Sequence, residues 1–218
     1  MSYDNRELVE YFLGYKLAQR NYPSSLLRPQ EPDGWTEGDK KSPAAVNGLL
    51  IRNRSRSGAS ASTGAGVEAV HAALRDSAEE FEKLFAQAFS DLSSQLVITP
   101  DTAYQSFKNV MDEVFKDGVN WGRIVGLFAF GGVLCVECVE KDASELVCRI
   151  ADWMTIYLDE HINPWIQSQG GWDSFAQIFG KDAAAEGRRA REALSRWMLG
   201  GLALLMGVLV GVFIVKKH

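Results

Sequence analysis

The chain has 218 residues, 46% of them hydrophobic and 23% charged, with a formal charge of −5. That is enough length and apolar content for one packed domain plus extensions, and the acidic balance excludes a general nucleic-acid binder, which needs a basic face. Three cysteines, Cys135, Cys138 and Cys148, form no disulfide framework and fit a reducing compartment, and the opening residues carry no apolar signal-peptide core.

Residues 5–19 read as an amphipathic helix, with Leu8, Tyr11, Phe12 and Tyr15 at helical spacing and Asp4 as its N-cap. Pro23 stops it. Residues 23–66 hold four of the six prolines, and Ser55 to Gly66 is almost wholly Ser, Gly, Ala, Arg and Thr. No period of 2 or 3.6 survives there, so a flexible loop is expected, with exposed serines and threonines open to phosphorylation. Helical periodicity returns over 67–97, where Val70, Leu74, Phe81, Phe85, Phe89, Leu92 and Leu96 form one stripe. Such a stripe is more often core than binding surface. Thr99-Pro100 breaks it. Residues 101–116 predict a further helix with Ala103, Phe107, Val110, Met111 and Val114 inward.

Asp117-Gly118 is a turn signal, and Asn120 caps the next helix. Arg123 then opens an apolar run. A guanidinium keeps its charge in a protein, so it must stay wet or find an anion. Gly122 leaves a bare backbone spot beside it. Cation, glycine and apolar wall together describe a place that receives a helix bearing one carboxylate. Ile124 to Val139 carries one charge, Glu137, in 16 residues, so this helix should be buried on most sides. Residues 143–160 predict another helix. Pro164 restarts the chain, and Gly170-Gly171 breaks it before Trp172 to Phe179. The folded part is therefore expected to be all-α, a bundle around a central hydrophobic helix.

Trp197 to Val215 is 19 residues without a charge, flanked by Arg196 and by Lys216-Lys217. At about 1.5 Å per residue it nearly spans a hydrocarbon layer of about 30 Å. It reads as a C-terminal transmembrane tail anchor with the rest facing the cytosol, and Trp197 as its interfacial aromatic. Gly207 and Gly211 have the spacing that lets membrane helices approach closely, a weak signal on its own.

No catalytic chemistry emerges. Cys135-Val-Glu-Cys138 lies on the apolar run without a second ligand pair, which suits free core thiols better than zinc or redox work. The three histidines are scattered, and no phosphate loop, nucleophile elbow or H-E-x-x-H is present. No catalytic residue, metal or cofactor is expected, and an enzyme is disfavoured.

The segment Glu113 to Gly132, with Asn120-Trp-Gly-Arg123 at its centre, resembles the first homology region of the Bcl-2 family of apoptosis regulators. Pro164 to Phe175 resembles the second, Val70 to Glu82 the third, and Asp4 to Tyr22 the fourth, typical of survival-promoting members. The resemblance covers nearly the whole chain apart from the loop. It implies four parts: the N-terminal helix (1–22), the loop (23–66), the bundle core (67–187) and the membrane tail (197–215, Trp197 to Val215).

The resemblance further implies an anti-apoptotic function. A hydrophobic groove takes the amphipathic third-region helix of pro-apoptotic family members, both effectors and third-region-only proteins, and so blocks permeabilisation of the mitochondrial outer membrane. Carried over, Phe81, Phe85, Phe89, Leu92, Val110, Glu113, Val114, Phe130 and Phe179 line that groove. Arg123 meets the partner's aspartate, Asn120 hydrogen-bonds beside it, and Gly122 permits close approach. Phe179 stands where relatives have tyrosine. Homodimers and heterodimers are both open, as are the endoplasmic reticulum, the nuclear envelope and a cytosolic pool. A pro-apoptotic effector or a toxin-like pore of the same fold is the alternative. One departure stands out: the family's third region reads glycine-aspartate where this chain has Ala78-Glu79, so its own third region should be a poor ligand yet a good groove wall.

Overall fold

The computed structural model describes residues 3–28, 60–87, 89 and 103–180. Among these residues every regular element is helical. Leu92, most of the aperiodic loop and the apolar tail with Trp197, Gly207, Gly211 and Val215 lie outside the described residues.

Helix α1 runs Asn5–Gln19, and the Asp4 carboxylate accepts from the Arg6 amide at 2.9 Å, as an N-cap should. Its buried face is turned from the expected one. Leu8 and Phe12 are in the core, but Val9, Leu13 and Leu17 join them, while Tyr11 and Tyr15 stay half-buried at the rim. The physical reason is their hydroxyls, which need partners. Tyr11 accepts from Arg75 Nη1 at 2.5 Å, and Tyr15 donates to Glu79. A 3-10 turn, Ser24–Leu27, follows Pro23 and buries Leu27.

Helix α2, Ser60–Leu84, begins inside the stretch expected to be loop. Its first residues have no apolar period, yet Ala and Ser tolerate a helix, and Val70 and Leu74, both 0% exposed, anchor the later turns. Helical bonding continues past Leu84, with the Phe85 and Phe89 amides donating to the Phe81 and Phe85 carbonyls at 3.1 and 3.0 Å. Helix α3, Ala103–Phe115, buries Phe107, Val110, Met111 and Val114 as its period predicts.

Helix α4, Trp121–Glu140, is the centre, with fifteen of its twenty residues buried. It packs against α1, α2, α3 and α5 (Leu146–Tyr157). By length and composition alone α4 could cross a membrane, but its burial on nearly all sides makes it the core helix. Cys135 and Cys138 are buried thiols on it, and burial pushes Cys138 up to about 12 and raises Cys135 as well. Neither is a ready thiolate.

Helix α5 does not stop before Pro164. It continues through a π turn, Leu158–Ile162, into α6, Asn163–Ser168, where Pro164 occupies the first turn and its missing N–H breaks no helical bond. Helix α7, Gly171–Phe179, is capped by Gly170 and opens on Gly171, both at left-handed φ (92° and 75°). A polar thread ties these parts to α1. Asn5, 4% exposed, donates through Nδ2 to Asp159 in the π turn at 2.7 Å and accepts from the Trp172 indole of α7 at 3.0 Å.

Candidate helix-binding site

Three residues of α4 stand on one stripe: Arg123, Gly126 and Phe130, at i, i+3 and i+7. That spacing spans about 10 Å along the helix. Each receives a different neighbour. Phe81 of α2 lies across Gly126, so close that a Cβ there would meet its Cζ at 3.2 Å. Phe107 of α3 stacks on Phe130 with ring centroids 6.2 Å apart. Along α2, Phe81 packs edge-on to Phe85 at 4.6 Å and tilts toward Phe89 at 6.1 Å. The structure thus brings α2, α3 and α4 phenylalanines to one region around the α4 stripe. Phe179 lies elsewhere in the aromatic packing, on Phe175 at 4.8 Å, which with Trp172 surrounds Trp121.

The apolar members of this set are covered. Exposures are 2% for Phe130, 3% for Phe81, 4% for Phe85, 5% for Phe179 and 6% each for Val110 and Val114. Phe89 is partly buried. Glu113 sits at the margin, bound to Lys116 one turn on. These side chains are core in the chain as it stands, not the floor of an open trough.

Arg123 is positioned by the start of α4. Asn120 caps that helix, its side-chain oxygen accepting the Arg123 amide at 2.9 Å. The side chain is 14% exposed; Nη1 donates to the Gly118 carbonyl at 2.5 Å, and Nη2 lies 3.9 Å from Asp117 Oδ2. The cation therefore has an internal anion, which sequence reasoning missed. The signal was present: an acidic residue in the turn six positions before the guanidinium. Asp117 is 56% exposed, so this pair is loose and wet on one side. Gly122 is buried next to Arg123.

The third region faces inward. Leu74 and Ala78 are 0% and 1% exposed. Glu79 accepts from Tyr15 and, at 3.2 Å, from Gln19, both on α1. The Tyr15 hydroxyl holds the Glu79 carboxyl below the usual carboxylate range, while burial and that carboxylate push Tyr15 up to about 12. Among the described residues no group of His, Cys, Asp and Glu has the arrangement of a metal site.

A family model for apoptosis regulator proteins of the Bcl-2 family matches residues 74–172, and one for Bcl-2 homology region 4 matches residues 1–25. The chain is 47% identical to Bcl-2-like protein 1 of Sus scrofa over 234 residues, and 46% identical to that of Homo sapiens, with 100% of each chain covered in both cases. It is also 42% identical to apoptosis regulator Bcl-2 of Gallus gallus, over 82% of this chain and 81% of the relative.

Proposed function

This chain belongs to the Bcl-2 family of apoptosis regulators, on its anti-apoptotic side, and from that premise we propose that it acts by capturing the amphipathic third-region helix of pro-apoptotic relatives. Family members act on one another as regulators and not as enzymes. The observation that carries the reading is the α4 stripe: a guanidinium at one end, a bare glycine under Phe81, and Phe130 two turns on. A bound helix with an aspartate and apolar anchors at matching spacing complements it.

Because Phe81, Phe85, Val110, Val114 and Phe130 are covered in the unbound chain, capture includes uncovering them. The partner's anchors then replace the contacts that these rings make with one another. The partner's aspartate takes over from Asp117 at Arg123. The Asn120 oxygen is spent on the cap, so its amide nitrogen is the group that meets the incoming helix. Phe89 and Glu113 complete the rim. The chain is a membrane-associated regulator; we place it through Trp197 to Val215 in the mitochondrial outer membrane, where held partners no longer permeabilise it.

The test is titration of a labelled, aspartate-bearing amphipathic peptide. Arg123→Ala should weaken binding by about 2–5 kcal/mol, the cost of truncating one partner of a covered charge pair. Unchanged affinity in a folded variant removes Arg123 from the site. Expression in cells given a death stimulus tests the function: protection supports it, and spontaneous killing assigns the chain to the effectors instead.

A further inference from the structure

Lys16 of α1 lies behind the α4 stripe and ties together the two helices that carry the site. Its stem crosses Gly132, where a Cβ would meet Lys16 Cγ at 2.9 Å. Its ammonium donates to Glu82 Oε2 at 2.7 Å and to Gln19 Oε1 at 3.1 Å. Gly132 stands two residues past Phe130, and Glu82 one residue past Phe81. One buried lysine therefore fixes where the Phe81 end of α2 stands over α4.

The pair is incomplete. Glu82 Oε1 is buried and has no hydrogen-bond partner among the described residues. A carboxylate oxygen so placed costs more than a neutral group would. Arg20, the other base in this region, is engaged with Glu140 at 3.0 Å. A cleft of about 300 Å³ runs between α1, α2 and α4, with Lys16, Glu82, Phe89 and Val136 among its walls, yet Oε1 itself is shut off from it. In the covered state the α2 wall thus holds one acceptor that cleft water completes once α2 moves off α4. Capture of a partner helix needs that movement, because Phe81 and Phe85 are covered until it occurs.

We propose, on that reading of the site, that Lys16 and Glu82 are a positioning pair with a built-in bias. The salt bridge registers α2 on α4, and the orphaned oxygen raises the covered state just enough for a partner helix to open it. Apparent affinity falls with the fraction of chain able to bind. Completing or removing the orphan without loosening α2 therefore favours the covered state and weakens capture.

Two variants reach that end by opposite chemistry. Lys16→Arg keeps the charge and offers a forked donor to both carboxylate oxygens. Lys16→Met combined with Glu82→Leu replaces the pair by apolar groups, an exchange that buried ion pairs commonly tolerate. The full chain in lipid nanodiscs is titrated with the labelled aspartate-bearing peptide, and amide exchange at Phe85 and Phe89 is followed in the free protein. Both variants should bind several-fold more weakly while those amides exchange more slowly. Unchanged or tighter binding in either folded variant overturns the proposal. So does weaker binding without slower exchange, which is what loss of a merely structural contact gives. Arg123→Ala in the same titration separates the two levels. If it leaves affinity unchanged, the reading of the site falls and the role of the pair with it; if it weakens binding while the pair variants do not, only the role of the pair falls.

Discussion

At the scale of single residues, Arg123 shows how a correct inference from chemistry can be incomplete. A guanidinium does need an anion, and the chain supplies a provisional one in Asp117 at 3.9 Å. That carboxylate competes with any incoming aspartate. Removing it by Asp117→Asn is expected to tighten the peptide complex by up to about 1 kcal/mol, the scale of an exposed pair, read in the same titration; weaker binding would mean that Asp117 helps to hold the partner. Gly131 is a second case. A Cβ there would stand 2.2 Å from Met154 Sδ, and Met154 is 0% exposed, so its thioether has nowhere free to move. Gly131→Ala should cost about 1–3 kcal/mol by overpacking, measurable as a lower urea midpoint. Nothing in the local sequence marks Gly131 as tighter than its neighbour; only the α5 side chain across from it does.

At the scale of elements, period and caps were legible, and rotation was not. Asp4 and Asn120 cap α1 and α4 as their positions predict. The apolar run of α4 is buried as predicted, because a helix without a polar face must be enclosed. For α1, spacing alone left the stripe free to turn by a fraction of a turn, and the tyrosine hydroxyls settled it by reaching Arg75 and Glu79. The early start of α2 was hidden for a different reason: small residues carry no hydrophobic period, so helix and loop look alike. The joint of α1, the π turn and α7 rests on Asn5. Asn5→Ala strips a hydrogen bond from both Asp159 and the Trp172 indole. It should cost about 1–3 kcal/mol, as for a buried polar group left unpaired. Chemical denaturation checks this, and loss of order should begin in α1 if amide exchange is followed.

At the scale of the whole molecule, one buried histidine sets a pH dependence. Burial lowers the His71 pKa from its ordinary value; Glu68 and Glu7 pull it up, and Arg75 pulls it down. Glu10 and Arg28 line a cleft that His71 also borders, and Tyr11 is stacked against the ring. The unfolded chain therefore binds a proton that the folded chain refuses. Stability should be complete above about pH 6.5 and fall as pH drops from there toward the lowered folded value. His71→Phe should flatten that fall while keeping the stack on Tyr11, as read from urea midpoints between pH 7.5 and 5. Glu79 acts in a lower window. Its pKa is depressed, chiefly by Tyr15, so its contribution is present above about pH 4.3 and is lost below. A fall unchanged by His71→Phe would assign the dependence to other groups.

What the sequence determined by itself is local: which stretches are helical, where caps and prolines bound them, which helix must sit at the centre, and which family pattern the homology regions spell. Each of these depends on residues within a few positions of one another. The tertiary structure decided what depends on distance along the chain. It closed the phenylalanine wall over the α4 stripe. It committed the third region to α1 through Glu79. It also left one nitrogen of His71 buried without a partner. Periodicity says that a side chain turns inward; only the packing of elements far apart in sequence says what it meets there, and whether that neighbour leaves a polar atom unsatisfied.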